Sequence, residues 1–145
     1  MVKKESVEIL KAKNIQVTPQ RLAIFEQLMG RKDHPSAEMI FNDIKNDFPS
    51  LTLVTVYNTL QKLVSTDLCI KVNPLHTSAR YDGNTDVHQH LVCNHCQKII
   101  DMHDASVSVE LPDLIYEKYK IVEQSVTFYG TCVECQETMR TSTIN

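Results

Sequence analysis

The chain has 145 residues, five cysteines and a formal net charge of −3 at pH 7. A chain of this length can form one compact domain or two small modules. Neither the charged N-terminus MVKKESVEILKAK nor any later stretch has the apolar run of a signal peptide or a membrane span, which predicts a cytoplasmic protein without a membrane partner. Cytosolic cysteines stay reduced, so metal ligands or reactive thiols are favoured over disulfides.

The charge is divided unevenly along the chain. Residues 1–71 carry 10 Lys and Arg against 8 Asp and Glu, whereas residues 72–145 carry 5 against 10. The first part is therefore slightly basic and the second acidic. This asymmetry is compatible with a nucleic-acid-binding half and a sensing half, but does not by itself require them.

Three amphipathic helices are predicted in the first half. The first begins with Thr18 as N-cap and Pro19 at the first helical position, and it ends at Gly30. The second begins at a Ser36 cap and ends at Pro49. The third, TLVTVYNTLQKLV (52–64), keeps its apolar residues on one stripe. Its opposite face is polar and consists of Thr52, Thr55, Asn58, Gln61 and Lys62.

Two short strands, 68–72 and 78–82, are predicted after the third helix. Three helices followed by a hairpin describe a winged helix-turn-helix. In such a module the third helix enters the major groove of DNA, where asparagine can contact adenine. The alternative is a helical bundle whose polar face is only solvated.

Two CxxC pairs, Cys93 with Cys96 and Cys132 with Cys135, dominate the second half. Four thiolates suit a tetrahedral, closed, structural Zn²⁺ site. The alternative, a redox-active dithiol, needs only one CxxC, usually at the start of a helix in a βαβ unit, and neither pair has that setting. A helix over 111–119 and a long strand over 121–129 are predicted between the pairs, so the predicted fold class is α+β.

A second metal site of different chemistry is predicted around the first CxxC pair. His88 and His90 are spaced i, i+2 on a predicted strand, so both imidazoles project from the same face. Asp82 precedes them and Asp101 closes the following strand. Imidazole and carboxylate donors without thiolate favour Fe²⁺, Mn²⁺ or Zn²⁺ and can leave coordination positions open.

These motifs resemble those of the ferric uptake regulator family of bacterial metalloregulators. The resemblance runs from about Val17 to Cys135, and it rests on five stretches: TPQR (18–21), HPSAEMIF (34–41), TVYNTL (55–60), HQHLVCNHCQKIID (88–101) and CVEC (132–135). It implies a homodimeric repressor of operator DNA. Its implied organisation is a winged-helix DNA-binding domain (1–80), a hinge (81–87) and a small α/β dimerisation and metal-sensing domain (88–145) that carries the zinc site.

Within that family the chain is most similar to the peroxide-responsive branch. The branch has Asp at the hinge, where the iron-uptake branch typically has Glu, and Asn where the iron-uptake branch usually has Arg; here these are Asp82 and Asn58. The resemblance implies a regulatory Fe²⁺ or Mn²⁺ held by His34, Asp82, His88, His90 and Asp101. It also implies that iron and peroxide oxidise His34 and His88, which would make the protein a sensor consumed by its signal and not an enzyme.

The residues predicted to contact DNA are Arg21, Thr52, Thr55, Tyr57, Asn58, Gln61 and Lys62. His95 and His103 are possible extra metal ligands, although solvated side chains are the simpler interpretation. Three alternatives remain at this point. They are an iron-, zinc- or manganese-responsive repressor of the same family, a metalloenzyme that uses the His/Asp site, and a thiol-based oxidoreductase.

Overall fold

The computed structural model describes residues 3–75, 77–103 and 107–143. The chain divides into two compact units, Met1–Asp86 and Val87–Asn145. The elements of the first unit are α1 (Lys3–Ala12), α2 (Pro19–Leu28), α3 (Ala37–Ile44), α4 (Leu53–Ser65), β1 (Ile70–Val72) and β2 (Arg80–Asp82). Those of the second are β3 (Gln89–Cys93), β4 (Ile99–Met102), α5 (Asp113–Lys118), β5 (Thr127–Gly130) and α6 (Val133–Ser142). Helices and sheets together confirm the predicted α+β class.

Side-chain caps fix the starts of α2, α3 and α4. Thr18, Ser36 and Thr52 each accept a hydrogen bond from the backbone N–H three residues later, at 3.2 Å. Such caps satisfy amide groups that have no partner inside the helix. The caps predicted at Thr18 and Ser36 are confirmed. None of the helices in the described part of the chain has the length and apolar character needed to cross a membrane.

The core of the first unit is formed by the apolar stripes of its helices. Its fully buried side chains include Ile24, Phe25, Leu28, Ile40, Val56, Leu60 and Leu63. Helix α1, which the sequence pattern did not predict, adds Leu10 to this core with no exposed surface. Burial of each such side chain contributes roughly 1.5–3 kcal/mol to folding.

A two-stranded antiparallel sheet follows the helices, with Ile70 opposite Asp82. Its strands are shorter than the predicted 68–72 and 78–82. Gly83 follows β2 directly and packs against the end of α2, where an added Cβ would lie 2.7 Å from the carbonyl oxygen of Leu28. A residue without a side chain is therefore required for the chain to leave the strand along this path.

The second unit is built on a three-stranded sheet in the order β4-β3-β5. Strand β3 is antiparallel to β4 and parallel to β5, and His90 lies opposite Asp101 on one side and Thr127 on the other. The predicted strand over 121–129 is wrong in extent, because β5 begins only at Thr127. Helix α6, which was not predicted, starts immediately after Cys132.

Candidate metal centres

The four cysteines of the CxxC pairs converge within the second unit. Cys93 ends β3, Cys96 lies in the turn before β4, Cys132 is the N-cap of α6 and Cys135 lies in its first turn. All four sulfur atoms lie within 4.8 Å of one another. Tetrahedral coordination with Zn–S bonds of about 2.3 Å would place the sulfurs about 3.8 Å apart. The Sγ atoms of Cys96 and Cys132 already lie 3.7 Å apart, so the donor set fits a structural zinc ion.

A hydrogen bond favours the thiolate form, which zinc requires, at Cys93, whereas the side-chain hydrogen bond with Cys132 raises the pKa of Cys135 to about 12. The backbone N–H of Cys132 donates to Sγ of Cys93 at 3.4 Å. This bond is the largest of the interactions that lower the pKa of the Cys93 thiol, to about 5. A lowered thiol pKa is typical of cysteines that bind metal or react.

An ion pair ties the turn between β3 and β4 to α6. Nζ of Lys98 lies 2.9 Å from Oε1 of Glu134. The Lys98 ammonium lowers the pKa of Glu134 to about 2. Because both side chains are largely exposed, this pair orients the two segments and adds little stability of its own.

In the first unit, His34 is paired with Asp82. Nε2 of His34 lies 3.3 Å from Oδ2 of Asp82, and both side chains are almost completely buried. The other carboxylate oxygen, Oδ1, accepts a hydrogen bond of 2.8 Å from the backbone N–H of Asn84. The carboxylate of Asp82 therefore links the imidazole to the turn that follows β2.

In the second unit, two imidazoles and one carboxylate meet. Nε2 of His88 lies 3.0 Å from Nε2 of His90 and 3.4 Å from Oδ1 of Asp101. Nε2 of His90 lies 3.6 Å from the same oxygen. The two histidines therefore project to the same side, as their spacing predicted, and Asp101 reaches them because it is opposite His90 in the sheet.

The donors of these two groups are nitrogen and carboxylate oxygen, which suit Fe²⁺, Mn²⁺ or Zn²⁺. Together they comprise the five residues that the resemblance implies for the regulatory site. His103 lies beside the second group, with Nε2 3.8 Å from Oδ2 of Asp101 and its ring centroid 5.3 Å from that of His88. His95 is exposed and belongs to neither group.

Helix α4 has an exposed face that contains most of the residues predicted to contact DNA. Thr52, Tyr57, Asn58, Gln61 and Lys62 are exposed, whereas Thr55 is half-buried. The Tyr57 hydroxyl donates to Oε1 of Glu38 at 2.5 Å. Arg21, on α2, is half-buried and donates to the carbonyl of Gln16 at 3.1 Å.

Arg80 is not among the site residues predicted from the sequence, yet its guanidinium donates to the carbonyl oxygen of His34 at 2.8 Å. The two residues are 46 positions apart, so no local pattern connects them. The spacing of Arg80 and Asp82 on one short strand was a usable signal, since residues i and i+2 share a face.

Comparison with known proteins supports the same interpretation. The model of the ferric uptake regulator family matches residues 12–129. The peroxide operon regulator of Bacillus subtilis is 33% identical over 135 residues, which cover 92% of this chain and 93% of that protein. The structure of PerR from Streptococcus pyogenes, described as a peroxide-sensing gene regulator, is 30% identical with a TM-score of 0.53, covering 92% of both chains. The ferric uptake regulator of Helicobacter pylori has the same fold, with a TM-score of 0.69 at 20% identity over 94% of this chain and 95% of that one.

Proposed function

Because the chain belongs to the ferric uptake regulator family, we propose that it is a dimeric, metal-dependent transcriptional repressor that senses peroxide. The observation that carries this proposal is that each unit has its own buried or half-buried imidazole–carboxylate group. These are His34 with Asp82 in the first unit, and His88 and His90 with Asp101 in the second. One regulatory ion that recruits both groups would fix the orientation of the two units.

The first unit is the proposed DNA-binding module, a winged helix-turn-helix in which α4 reads the major groove and β1 with β2 forms the wing. The exposed Asn58 is suited to contact adenine, and Lys62 to contact phosphate. A homodimer would present two such helices to half-sites about one DNA turn apart, roughly 34–36 Å. The orientation of the units then decides whether both helices fit at once.

The second unit is the proposed dimerisation and sensing module. Several of its large apolar side chains are exposed, among them Val109, Leu114, Tyr119 and Val122. Exposed apolar groups of this kind favour contact with a second copy. The structural zinc held by the four cysteines would keep α6 attached to the turn between β3 and β4.

We propose that peroxide inactivates this regulatory site by oxidising the histidine ligands of the site itself. When bound, Fe²⁺ supplies electrons that reduce peroxide, whereas Mn²⁺ supports repression without this reactivity. His34 and His88 are the side chains that we expect to gain oxygen. Each oxidised imidazole is then a poorer metal ligand, so the ion no longer holds the His34–Asp82 group and the His88–His90–Asp101 group together. The orientation of the units that permits DNA binding is then no longer favoured. Asp82 and Asn58, together with the peroxide-regulator relatives, support this branch over a purely metal-responsive repressor.

The experiment that tests the proposal compares Fe²⁺-loaded and Mn²⁺-loaded full-length protein, each with zinc retained. An operator is first selected from random duplex DNA in the presence of Mn²⁺. DNA binding is then followed by fluorescence anisotropy during matched peroxide doses, and the protein is analysed by peptide mass spectrometry. We expect only the iron form to release DNA, with addition of single oxygen atoms at His34 and His88.

The exposed His95 serves as an internal reference, because it belongs to neither group and should stay unmodified. Loss of DNA binding on chelation but not on peroxide treatment would favour the iron-, zinc- or manganese-responsive alternative. Loss of binding through oxidation of Cys93 or Cys96, with intact histidines, would identify a thiol sensor.

A further inference from the structure

The backbone of His34 is in a conformation that few residues of its type adopt. Its φ angle is +49°, in the left-handed region, although the residue is not glycine. Pro35 follows it, and a residue before proline normally prefers an extended conformation. Such a conformation persists only where the surrounding structure enforces it.

Strand β2 supplies the contacts that enforce it. Nη1 of Arg80 donates to the carbonyl oxygen of His34 at 2.8 Å and lies 3.4 Å from that of Asp33. The backbone N–H of Tyr81 donates to the carbonyl oxygen of Pro35 at 3.0 Å. Three successive carbonyl groups are thus held by two neighbouring residues of one strand.

The same strand also holds the imidazole of His34. Asp82 lies two residues after Arg80, on the same face of β2, and its Oδ2 is 3.3 Å from Nε2 of His34. Arg80 therefore holds the backbone carbonyl group of His34, and Asp82 orients its imidazole ring. His34 is only 2% exposed, so its ring has little freedom to find another orientation.

We propose that Arg80 is a positioning residue for the regulatory site: it fixes the backbone of His34 so that the imidazole is presented to the metal together with Asp82. This inference rests on the proposed function, in which His34 is a ligand. Arg80 is not one of the five proposed metal ligands. Outer-shell partners of metal ligands typically change metal affinity by about 10- to 100-fold when they are removed.

The chain offers a matched control in Arg31. This arginine belongs to the same loop, where it pairs with Asp33 at 2.6 Å and with Asp43 at 2.7 Å. It makes no hydrogen bond to the His34 carbonyl among those described for Arg31. Arg31→Met therefore removes the same charge and two ion pairs from the loop without removing the proposed positioning contact.

The test measures Mn²⁺ affinity of zinc-containing, full-length protein from the electron paramagnetic resonance signal of free Mn²⁺. Parent, Arg80→Met, Arg80→Lys, Arg31→Met and His34→Ala are compared, each with its free energy of unfolding from urea titration. We expect Arg80→Met to weaken Mn²⁺ binding by about 10- to 100-fold. Arg80→Lys, which keeps a cationic donor, should recover part of this loss, and Arg31→Met should bind Mn²⁺ like the parent.

A second measurement needs no metal. Amide hydrogen exchange of the metal-free protein should be faster at Tyr81 in Arg80→Met than in Arg31→Met, because the loop that accepts its hydrogen bond is released. If Arg80→Met does not fold, the same two measurements are made on Arg80→Lys. Weaker Mn²⁺ binding and faster amide exchange at Tyr81 than in Arg31→Met support the inference. A Mn²⁺ affinity and an exchange rate equal to those of the parent overturn it.

The failure of this inference and that of the proposed function can be told apart. If His34→Ala binds Mn²⁺ as tightly as the parent, His34 is not a ligand and the proposed site itself is wrong. If His34→Ala loses Mn²⁺ affinity, two results overturn only the positioning role of Arg80. One is a folded Arg80→Met that keeps the Mn²⁺ affinity of the parent. The other is an equal loss of Mn²⁺ affinity in Arg80→Met and Arg31→Met.

Discussion

The Sγ atoms of Cys96 and Cys132 lie 3.7 Å apart although 36 positions separate them in the chain. The first belongs to the turn between β3 and β4, the second to the start of α6. No disulfide joins them, and all five cysteines are free thiols. A zinc ion shared by these thiolates would therefore cross-link the turn between β3 and β4 to the start of α6.

We predict that Cys132→Ser leaves an incomplete zinc site and releases α6 from the turn between β3 and β4. A hydroxyl is a poor replacement for a thiolate ligand, and structural zinc is coupled directly to folding. Zinc content, circular dichroism and sedimentation should show loss of zinc, loss of structure and dissociation to monomers. Thr138→Ser, a change elsewhere on α6, should leave all three unchanged. A zinc-free variant that remains a folded dimer with normal operator binding would contradict the structural role.

Local features of the first unit could be predicted from the sequence because short-range rules govern them. The Thr18 cap, the Ser36 cap and the buried stripe that contains Phe25 each follow from spacing within one or two helical turns. The clustering of the four cysteines could also be anticipated, since two CxxC pairs form a complete donor set for zinc.

Other features depend on partners that the sequence does not reveal. The β-branched residues Ile121 and Val122 suggested a strand, but they lie outside the sheet and are 45% and 84% exposed. Strand propensity becomes strand structure only where a neighbouring strand accepts the hydrogen bonds. The contact between Arg80 and His34 is likewise set by tertiary packing. From the sequence, only the family resemblance suggests His34 as a candidate ligand.

We predict that Cys69 does not take part in sensing. This thiol is 3% exposed, and burial raises its pKa to about 12, so it remains protonated at neutral pH. Since the thiolate is the reactive form, iodoacetamide should not modify Cys69 in the folded protein but should do so in urea. Cys69→Ala should also keep the iron-dependent response to peroxide. A variant that binds DNA normally but no longer responds would assign Cys69 a sensing role.

We predict that Gly83→Ala destabilises the first unit. The Cβ of the new alanine would lie 2.7 Å from the carbonyl oxygen of Leu28 and 2.8 Å from Cε of Met29. Because the first of these atoms belongs to the backbone, the backbone must move to accommodate the Cβ. Overpacking of this kind typically costs about 1–3 kcal/mol in the free energy of unfolding. Gly130→Ala is the matched control, because its Cβ would meet only Cδ1 of Leu91 at 3.6 Å. Urea titrations in which the two variants lose equal stability would contradict this account.

We predict that Asn58→Ala reduces discrimination between operator and random DNA by about 1–3 kcal/mol, if its amide contacts an adenine edge. Lys62→Ala should instead weaken binding to all sequences alike and lower the slope of log affinity against log salt by about one. Both side chains are exposed on α4, so neither change should alter folding. Anisotropy titrations on both DNAs at several salt concentrations measure these effects. Equal losses on the two DNAs for Asn58→Ala would argue against base reading.

The carboxylate of Asp82 is fixed on both sides, by the Asn84 amide at Oδ1 and by the His34 ring near Oδ2. Glutamate is longer by one methylene, and at a site only 3% exposed it cannot keep both contacts unchanged. We therefore predict that Asp82→Glu keeps metal-dependent DNA binding but slows the iron-dependent loss of binding in peroxide, with less oxygen addition at His34 and His88. Asp86→Glu, the same change at an exposed residue of the following turn, should respond like the parent. Peptide mapping after matched peroxide doses measures the contrast. Equal oxidation of the parent and Asp82→Glu would mean that the length of this side chain does not control peroxide sensitivity. A parent protein that resists oxidation would instead support a repressor that responds to the metal alone.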